Sequence, residues 1–400
     1  MVMKRLKHGH NRSTALANRR RVTVLRSGVA TVLFQAMQLA RGRAEDQVDY
    51  KFEAYDEPGG RIQVLTHSAF FEKSLGSAVT ARGEFVYDSI SGATPTGGPP
   101  PTGSDQVPLA HMSDIRWAGN LGASIQWGRN TTTPLVAYST ESDYQSIGIA
   151  LNHSIDFNQK NTTVNLGVAH DFDTVEPSFW TESKDKGNTD VLLGVTQLLG
   201  PGTLLSANLT VGAANGYLAD PYRGFRFDDY PDPTALFPEQ RPGYKNKQVL
   251  YLGLTQHVDP LNASVEASYR FYHDSFGIFS HTVSLEWFQK VGSHLIVAPV
   301  FRYYHQTAAD FYAVQLPGDP TIPPDDPFFT TPTPDYYSAD YRLSRMDTFT
   351  YGLSATVIIK KHLYLDAAYK RYDLRGLDGV TSASAYPDAN VFTIGARLCF

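Results

Sequence analysis

Four hundred residues with one cysteine, 19% charged side chains and 45 Tyr and Phe together leave several classes of protein out. A lone cysteine, Cys399, makes neither an internal disulfide nor a cysteine metal cluster. No stretch approaches the roughly 18 to 20 apolar residues of a spanning helix, so a membrane location would require a closed barrel, the other fold that pairs its whole backbone in lipid.

Residues 1–44 hold ten Lys or Arg and no acid, which leaves the rest of the chain with a net charge of −15. This basic leader, a short apolar stretch over 28–40 and a small residue at Ala44 read as a secretory signal peptide, with residues 45–400 as the mature domain. Gln35 and Gln38 interrupt the apolar stretch, and Arg19-Arg20-Arg21 is only a weak twin-arginine signal. The alternative, a basic arm for nucleic acid, is set aside, and no nucleic-acid partner is expected.

From Asp49 onward, apolar and polar residues alternate in runs of about ten, the period of membrane-spanning strands. In one run Trp117, Gly119, Leu121, Ala123, Ile125 and Trp127 oppose Arg116, Asn120, Ser124 and Gln126. In another, Val265, Ala267, Tyr269 and Phe271 oppose Ser264, Glu266, Ser268 and Arg270. In a third, Leu363, Leu365, Ala367 and Tyr369 oppose Tyr364, Asp366, Ala368 and Lys370. Sixteen strands are predicted: 48–56, 61–72, 78–90, 114–128, 133–141, 143–157, 162–174, 189–199, 203–214, 247–257, 262–274, 280–290, 294–305, 347–359, 362–374 and 389–400. A kink instead of a turn at Ser142 would lower the count, toward twelve at the lower limit. The fold class is therefore all-β, a transmembrane antiparallel up-and-down barrel. Long connections (91–113, 175–188, 215–246, 306–346, 375–388) all fall on odd positions and short ones on every even position. That is the asymmetry of long outer loops and short periplasmic turns.

The last strand ends Val391-Phe-Thr-Ile-Gly-Ala-Arg-Leu-Cys-Phe400. Thr393, Gly395, Leu398 and Phe400 match the polar-x-Gly-x-x-apolar-x-aromatic pattern read by the barrel-assembly machinery, which is thus an expected partner together with outer-membrane lipid.

Enzyme motifs are missing: there is no Gly-x-Ser-x-Gly elbow, His-Glu-x-x-His or phosphate loop. His67 and Ser68 are neighbours on one strand and point to opposite faces, so a hydrolase is the least supported reading. No cofactor is expected. No metal site is expected either: the histidines lack ligand spacing beyond His8 and His10. If the apolar face meets lipid, the pore-lining candidates are Lys51, Glu53, Arg61, His67, Arg82, Glu84, Asp88, Arg116, Asp171, Glu266, Arg270, Glu286, Arg302, Asp366, Lys370 and Arg397. They read equally as a selective channel lining and as an ion-pair network filling a wet wall, and their mixed sign argues against strong charge selectivity. Half of segment 88–103 is Gly or Pro, which predicts irregular backbone. Ser91, Gly92, Thr94, Pro95 and Gly97 are candidates for a lumenal constriction, against a solvated outer loop. Asp228, Asp229 and Asp232 cluster in an acidic loop that lacks the order of a dedicated calcium loop.

Several segments resemble an uncharacterised bacterial outer-membrane family of about this length. They are Val48-Asp-Tyr-Lys-Phe-Glu-Ala-Tyr-Asp-Glu57, Arg61-Ile-Gln-Val-Leu-Thr-His67, Ser139-Thr-Glu-Ser-Asp-Tyr144 and Asn215-Gly-Tyr-Leu-Ala-Asp-Pro-Tyr222. The most specific is Tyr87-Asp-Ser-Ile-Ser-Gly-Ala-Thr-Pro-Thr-Gly97. The resemblance implies the barrel fold and its location. It also implies neighbouring genes of flavin-transferase and thioredoxin-like type, and so periplasmic redox or flavinylation partners.

Deleting Phe400 is expected to lower the amount of barrel in the outer membrane, measured by fractionation and immunoblotting. Unchanged levels would remove the terminal strand as an assembly signal.

Overall fold

The computed structural model describes residues 46–322, 333–360 and 362–400; the predicted leader lies outside them. Sixteen strands close into one antiparallel barrel. They are β1 (Gln47–Asp56), β2 (Gln63–Ser74), β3 (Val79–Pro95), β4 (Leu109–Trp127), β5 (Asn130–Thr140), β6 (Tyr144–Phe157), β7 (Thr162–Val175) and β8 (Lys184–Gly200). They continue as β9 (Thr203–Gly216), β10 (Tyr244–Val258), β11 (Ala263–Asp274), β12 (Phe279–Val291), β13 (Leu295–Gln306), β14 (Met346–Lys360), β15 (Leu363–Gly376) and β16 (Ala389–Cys399). Each pairs with its sequence neighbours, and β1 pairs with β16 from Gln47↔Cys399 to Asp56↔Asn390. The Phe400 amide donates to the Asp46 carbonyl (2.8 Å), which extends the closing seam to the end of the chain.

The period-2 pattern sorts as expected. Outward positions carry large exposed apolar side chains on strand after strand: Trp117, Leu121 and Ile125 on β4, Ile147, Ile149 and Leu151 on β6, Val191, Leu193 and Val195 on β8, Phe392, Ile394 and Leu398 on β16. A water-soluble barrel would not present a continuous apolar belt of this size; a hydrocarbon surround makes it favourable. Aromatic rings meet across strands on this face, as in Tyr87–Trp117 (4.6 Å between centroids), Tyr303–Phe349 (5.1 Å) and Tyr369–Phe392 (4.8 Å).

One end carries only short connections of two to four residues, at 75–78, 128–129, 158–161, 201–202, 259–262, 292–294 and 361–362. The other end carries the long segments 96–108, 176–183, 217–243, 307–345 and 377–388. Outer-membrane barrels carry short turns at the periplasmic end and long loops at the outer end, and the two ends of this barrel are named accordingly. Ser142 lies in a true turn, 141–143, between β5 and β6.

Segment 88–103 corrects one expectation. Ser91, Gly92, Thr94 and Pro95 are not irregular loop: they pair with Ser113, Met112, Ala110 and Leu109 in an extended β3–β4 hairpin. The glycines are needed for close approach. A Cβ on Gly92 (φ +119°) would come within 1.9 Å of the Arg61 carbonyl oxygen, and one on Gly97 (φ +92°) within 2.0 Å of that of Gly224. Only glycine adopts these angles readily.

Leu365, the third residue of β15, lies close to the short turn at 361–362 and so near the edge of the apolar belt. Leu285 sits mid-strand on the outward face, opposite Ala267 and Phe301. Replacing Leu285 with arginine is expected to cost roughly 2 to 4 kcal/mol in a lipid-refolding titration. A negligible cost would mean that this face does not meet hydrocarbon.

Candidate functional site: a wet lumen under a latched outer cap

The inward faces divide by level and by wall. Glu266 and Arg270 on β11, Arg302 on β13 and Lys51 on β1 point inward yet are exposed, so the lumen beside them is open to water. On β5–β8 the inward positions are mostly small and buried, among them Thr133, Leu135, Ala137, Ser146, Ala150 and Ala169. A sixteen-stranded barrel is wide enough for an aqueous channel.

Most of the predicted lining residues face inward, and many are paired there. Arg116 Nε lies 2.6 Å from Asp88, which also accepts from the Thr66 hydroxyl. Lys51 pairs with Glu53 (3.1 Å) and Arg397 with Asp49 (3.1 Å). Glu84 accepts from the Asn120 amide, and Thr356 donates to Asp366. Arg82 and Asp171 are buried inward residues. Lys370 leans over Gly352, on the register line Glu286–Val300–Gly352–Lys370.

Two predicted residues stand elsewhere. His67 is on the outward face, in register between Phe52 and Tyr87, and its Nδ1 is 2.7 Å from the Tyr50 hydroxyl. The alternation places it there: Leu65, Ala69 and Phe71 share its side of β2, while Thr66, which reaches Asp88, takes the inward side. Ser68 consequently faces the lumen, and the two cannot act together. Arg61 lies beyond β2, in the rim turn 57–62. There it reaches Glu57 (3.4 Å) and donates to the Ser384 carbonyl (2.6 Å), tying this turn to segment 377–388.

Sequence reasoning missed the cap. Segments 217–243, 307–322 and 333–345 fold together across the outer mouth. Their shared core is aromatic: Phe225, Phe227 and Tyr337 are almost fully buried, with ring centroids 4.8 to 5.2 Å apart. Backbone bonds join the segments, Gln240 and Tyr337 each donating to the other's carbonyl (3.0 and 2.8 Å). The cap is seated on inward-facing rim residues. Tyr222 packs on Ile62, Ile90 and Met112, with Tyr55 and Val64 around them. On the far side Leu343 and Phe276 pack with Tyr272, and Tyr341 with Tyr304 and Leu374. The hairpin tip clamps it as well: Arg223 donates to the Pro95 carbonyl (3.1 Å) and the Thr94 hydroxyl (3.2 Å), and the Gly224 amide to the Thr96 carbonyl (2.9 Å). Of the constriction candidates, Thr94, Pro95 and Gly97 therefore meet the cap at the rim, whereas Ser91 and Gly92 lie within the hairpin.

At the centre lies a latch of three carboxylates and three guanidiniums. Asp220, Arg223, Glu239 and Arg241 come from 217–243, and Asp340 and Arg342 from 333–345. Arg342 Nη2 is 2.5 Å from both Asp340 and Asp220; Arg241 is 2.6 Å from Glu239 and 3.0 Å from Asp340; Arg223 is 3.6 Å from Asp340 and 3.7 Å from Asp220. The Ser338 hydroxyl donates to Glu239 at 2.5 Å. Burial raises both aspartates, but Arg342 and Arg223 outweigh it and hold them below the ordinary carboxylate range, Asp340 furthest. Burial pushes Glu239 up, and Arg241 only partly offsets this. The latch was hard to read because its members are spread from 220 to 342 and neutralise one another.

The acidic triad of the outer loop does not converge. Asp228 accepts from Gln315, Asp229 from the Gly318 amide and Asp232 from Thr234. Among the described residues a different group gathers, Asp114, Glu141 and Asp143, with ligand oxygens within 4.8 Å of one another. Ser142 donates to Asp114 and the Tyr222 hydroxyl to Asp143, so these bonds tie the β5–β6 turn to β4 and to the cap. A cleft of about 670 Å³ opens beside it, lined by Asp143, Glu176, Trp180 and Glu182.

A closed sheet with an apolar belt outside and water-exposed charge inside defines a transmembrane β-barrel protein. Residues 23–383 match the family described as "Protein of unknown function (DUF3570)", and the chain belongs to that family. No curated protein matches it. Among solved structures it is similar to a bacterial polysaccharide outer membrane secretin, at 7% identity and a TM-score of 0.48 over 90% of this chain and 100% of that one. It is similar to CdiB from Acinetobacter baumannii, at 8% identity and 0.49 over 89% of this chain and 61% of the other. It is also similar to the siderophore receptor PirA from Pseudomonas aeruginosa, at 11% identity and 0.42 over 90% and 63%. The chain spans less than two thirds of the length of the last two.

The aspartates' lowered values add stability to the cap above the ordinary Asp range, near 3.9, and that stability is lost as pH falls below it. Glu239 has the opposite sign, so its protonation favours the closed cap. Protease resistance of 217–243 should therefore persist from neutral pH down to about 4 and fail only below that. Asp340→Asn should destabilise the closed cap by about 3–5 kcal/mol at neutral pH, because it strands buried guanidiniums. Limited proteolysis checks both, with heat-modifiable gel migration reporting an intact barrel; loops as resistant as wild type would show that the latch does not hold them.

Proposed function

We propose that this barrel lies in the bacterial outer membrane as a channel for small solutes, its outer mouth held shut by its own loops. The observation that carries the reading is the pairing of a water-exposed charged lumen with a cap confined to one end. The seven periplasmic connections, of two to four residues, are too short to cover a mouth this wide. The lumen thus communicates with the periplasm and is gated on the outside. Separation of 217–243 from 307–322 and 333–345 opens it, and a latch with no net charge lets the cap sit in the mouth without a counter-ion. Export through the periplasm and insertion by the barrel-assembly machinery go with this location.

A second reading has its own support. The cap has an aromatic core and bonds to most of the rim, as a permanent closure would. The barrel would then be a non-conducting anchor serving a periplasmic redox or flavinylation complex. A barrel-embedded hydrolase has least support, with His67 and Ser68 on opposite faces.

Single-channel recording on the refolded protein in planar bilayers separates the two. Wild type is expected to show rare, brief openings. A variant with 224–239 replaced by a short Gly-Ser linker should show large, steady steps. Silence from that variant, with heat-modifiable migration showing a folded barrel, would leave the anchor.

A further inference from the structure

We propose that Arg270 and Arg302 form an anion-binding site on the lumen wall, which sets a preference for small solutes bearing carboxylate or phosphate groups. The binding half stands by itself; the preference half rests on the channel reading above.

The site emerges when the lumenal charges are matched one by one. Arg116, Lys51, Arg397 and Lys247 each have a carboxylate within 3.1 Å. Arg270 and Arg302 have none: among the described residues no carboxylate lies within ion-pair distance of either. Both are inward-facing and exposed to the water of the lumen.

They also stand on the same wall, two strands apart and staggered by two residues. Arg270 is on β11 and Arg302 on β13, with only β12 between. There the register partners are Thr282 for Arg270 and Ser284 for Arg302, so nothing larger than a hydroxyl-bearing side chain stands between the two stems. Each guanidinium lies within electrostatic reach of the other. Tyr251, the register partner of Arg270, and Tyr372, two strands from Arg302, line the same wall. Two cations side by side without a counter-charge repel. An anion spanning both removes that repulsion and gains the planar two-pronged hydrogen bonding that guanidinium gives carboxylate and phosphate. Rings of arginine serve this end in anion pores.

The neighbouring acids do not cancel the site. Glu266 is four residues nearer the periplasmic end than Arg270, roughly 13 Å along the strand. Its register partner Glu286 lies two residues nearer that end than Arg302 on the adjacent strand but makes no ion pair with it. Lys370 stands at the level of Glu286. An anion entering from the periplasm passes that level before reaching the arginines beneath the cap.

The test compares wild type, the double variant Arg270→Gln/Arg302→Gln and the double variant Arg270→Lys/Arg302→Lys, all full-length mature chains refolded in detergent and verified by heat-modifiable migration. Inorganic pyrophosphate is titrated calorimetrically, which needs no conduction. Saturable binding is expected for wild type, at least about tenfold weaker in the Gln pair and largely kept in the Lys pair. Reversal potentials in a potassium chloride gradient should show an anion preference that the Gln pair loses. Folded wild type that binds no pyrophosphate, or a Gln pair that binds as well as wild type, overturns the site. A conducting barrel that prefers cations overturns the preference. A barrel that binds pyrophosphate through these arginines yet never conducts upholds the site and counts against the channel reading instead.

Discussion

Hydrocarbon offers no partner to a backbone amide, and each unpaired group there costs several kcal/mol. In this chain the constraint falls hardest on the first and last strands, which have no sequence neighbour on one side. They find each other across nearly the whole chain, from Gln47↔Cys399 to Asp56↔Asn390, and the Phe400 amide adds one more bond to Asp46. With the seam closed no edge remains, and the alternation of every strand is forced into one sense, apolar out and polar in. A slip by one residue anywhere would turn that strand's charges into lipid.

The rim obeys the opposite rule. Where strands such as β3 and β4 outrun the membrane, inward positions become apolar: Ile90 and Met112 replace the charges found deeper, and they receive Tyr222 from the cap. The cap's aromatic core supplies burial, while its six latch charges, four of them buried, supply specificity. Buried ion pairs seldom add net stability, because desolvation consumes most of the attraction. What they do well is refuse alternatives. Arg342 can satisfy Asp220 and Asp340 together only when both long segments are seated, so the latch defines one closed arrangement instead of many loose ones. The glycines at 92 and 97 serve the same end, since the approach of Arg61 and Gly224 leaves no room for a Cβ.

The interior follows a third logic, that of a wet wall. Charges there are cheap to keep, and neutralising each one is optional. Several are neutralised all the same, as with Arg116 against Asp88 and Lys51 against Glu53. Mixed composition therefore says little about selectivity; the unmatched residue at a given level says more.

Fold class, strand count, loop asymmetry and most inward-facing residues were legible in the sequence, because each depends on a period of two along one strand and needs no knowledge of a distant partner. The resemblance carried by residues 87–97 was also legible, but its meaning was not: glycine and proline read as irregular loop, whereas the segment is mostly strand whose glycines admit two other backbones. His67 was assigned inward on its polarity, although the alternation of its own strand puts it among Phe52, Tyr87 and Tyr50 on the outside. The latch and the unmatched arginines were beyond reach for a different reason. Asp220 meets Arg342, and Arg270 stands near Arg302 with no acid beside it, only once the sheet has closed and the loops have crossed its mouth. Pairing between residues far apart in the chain is a property of the closed surface, and only the tertiary structure decided it.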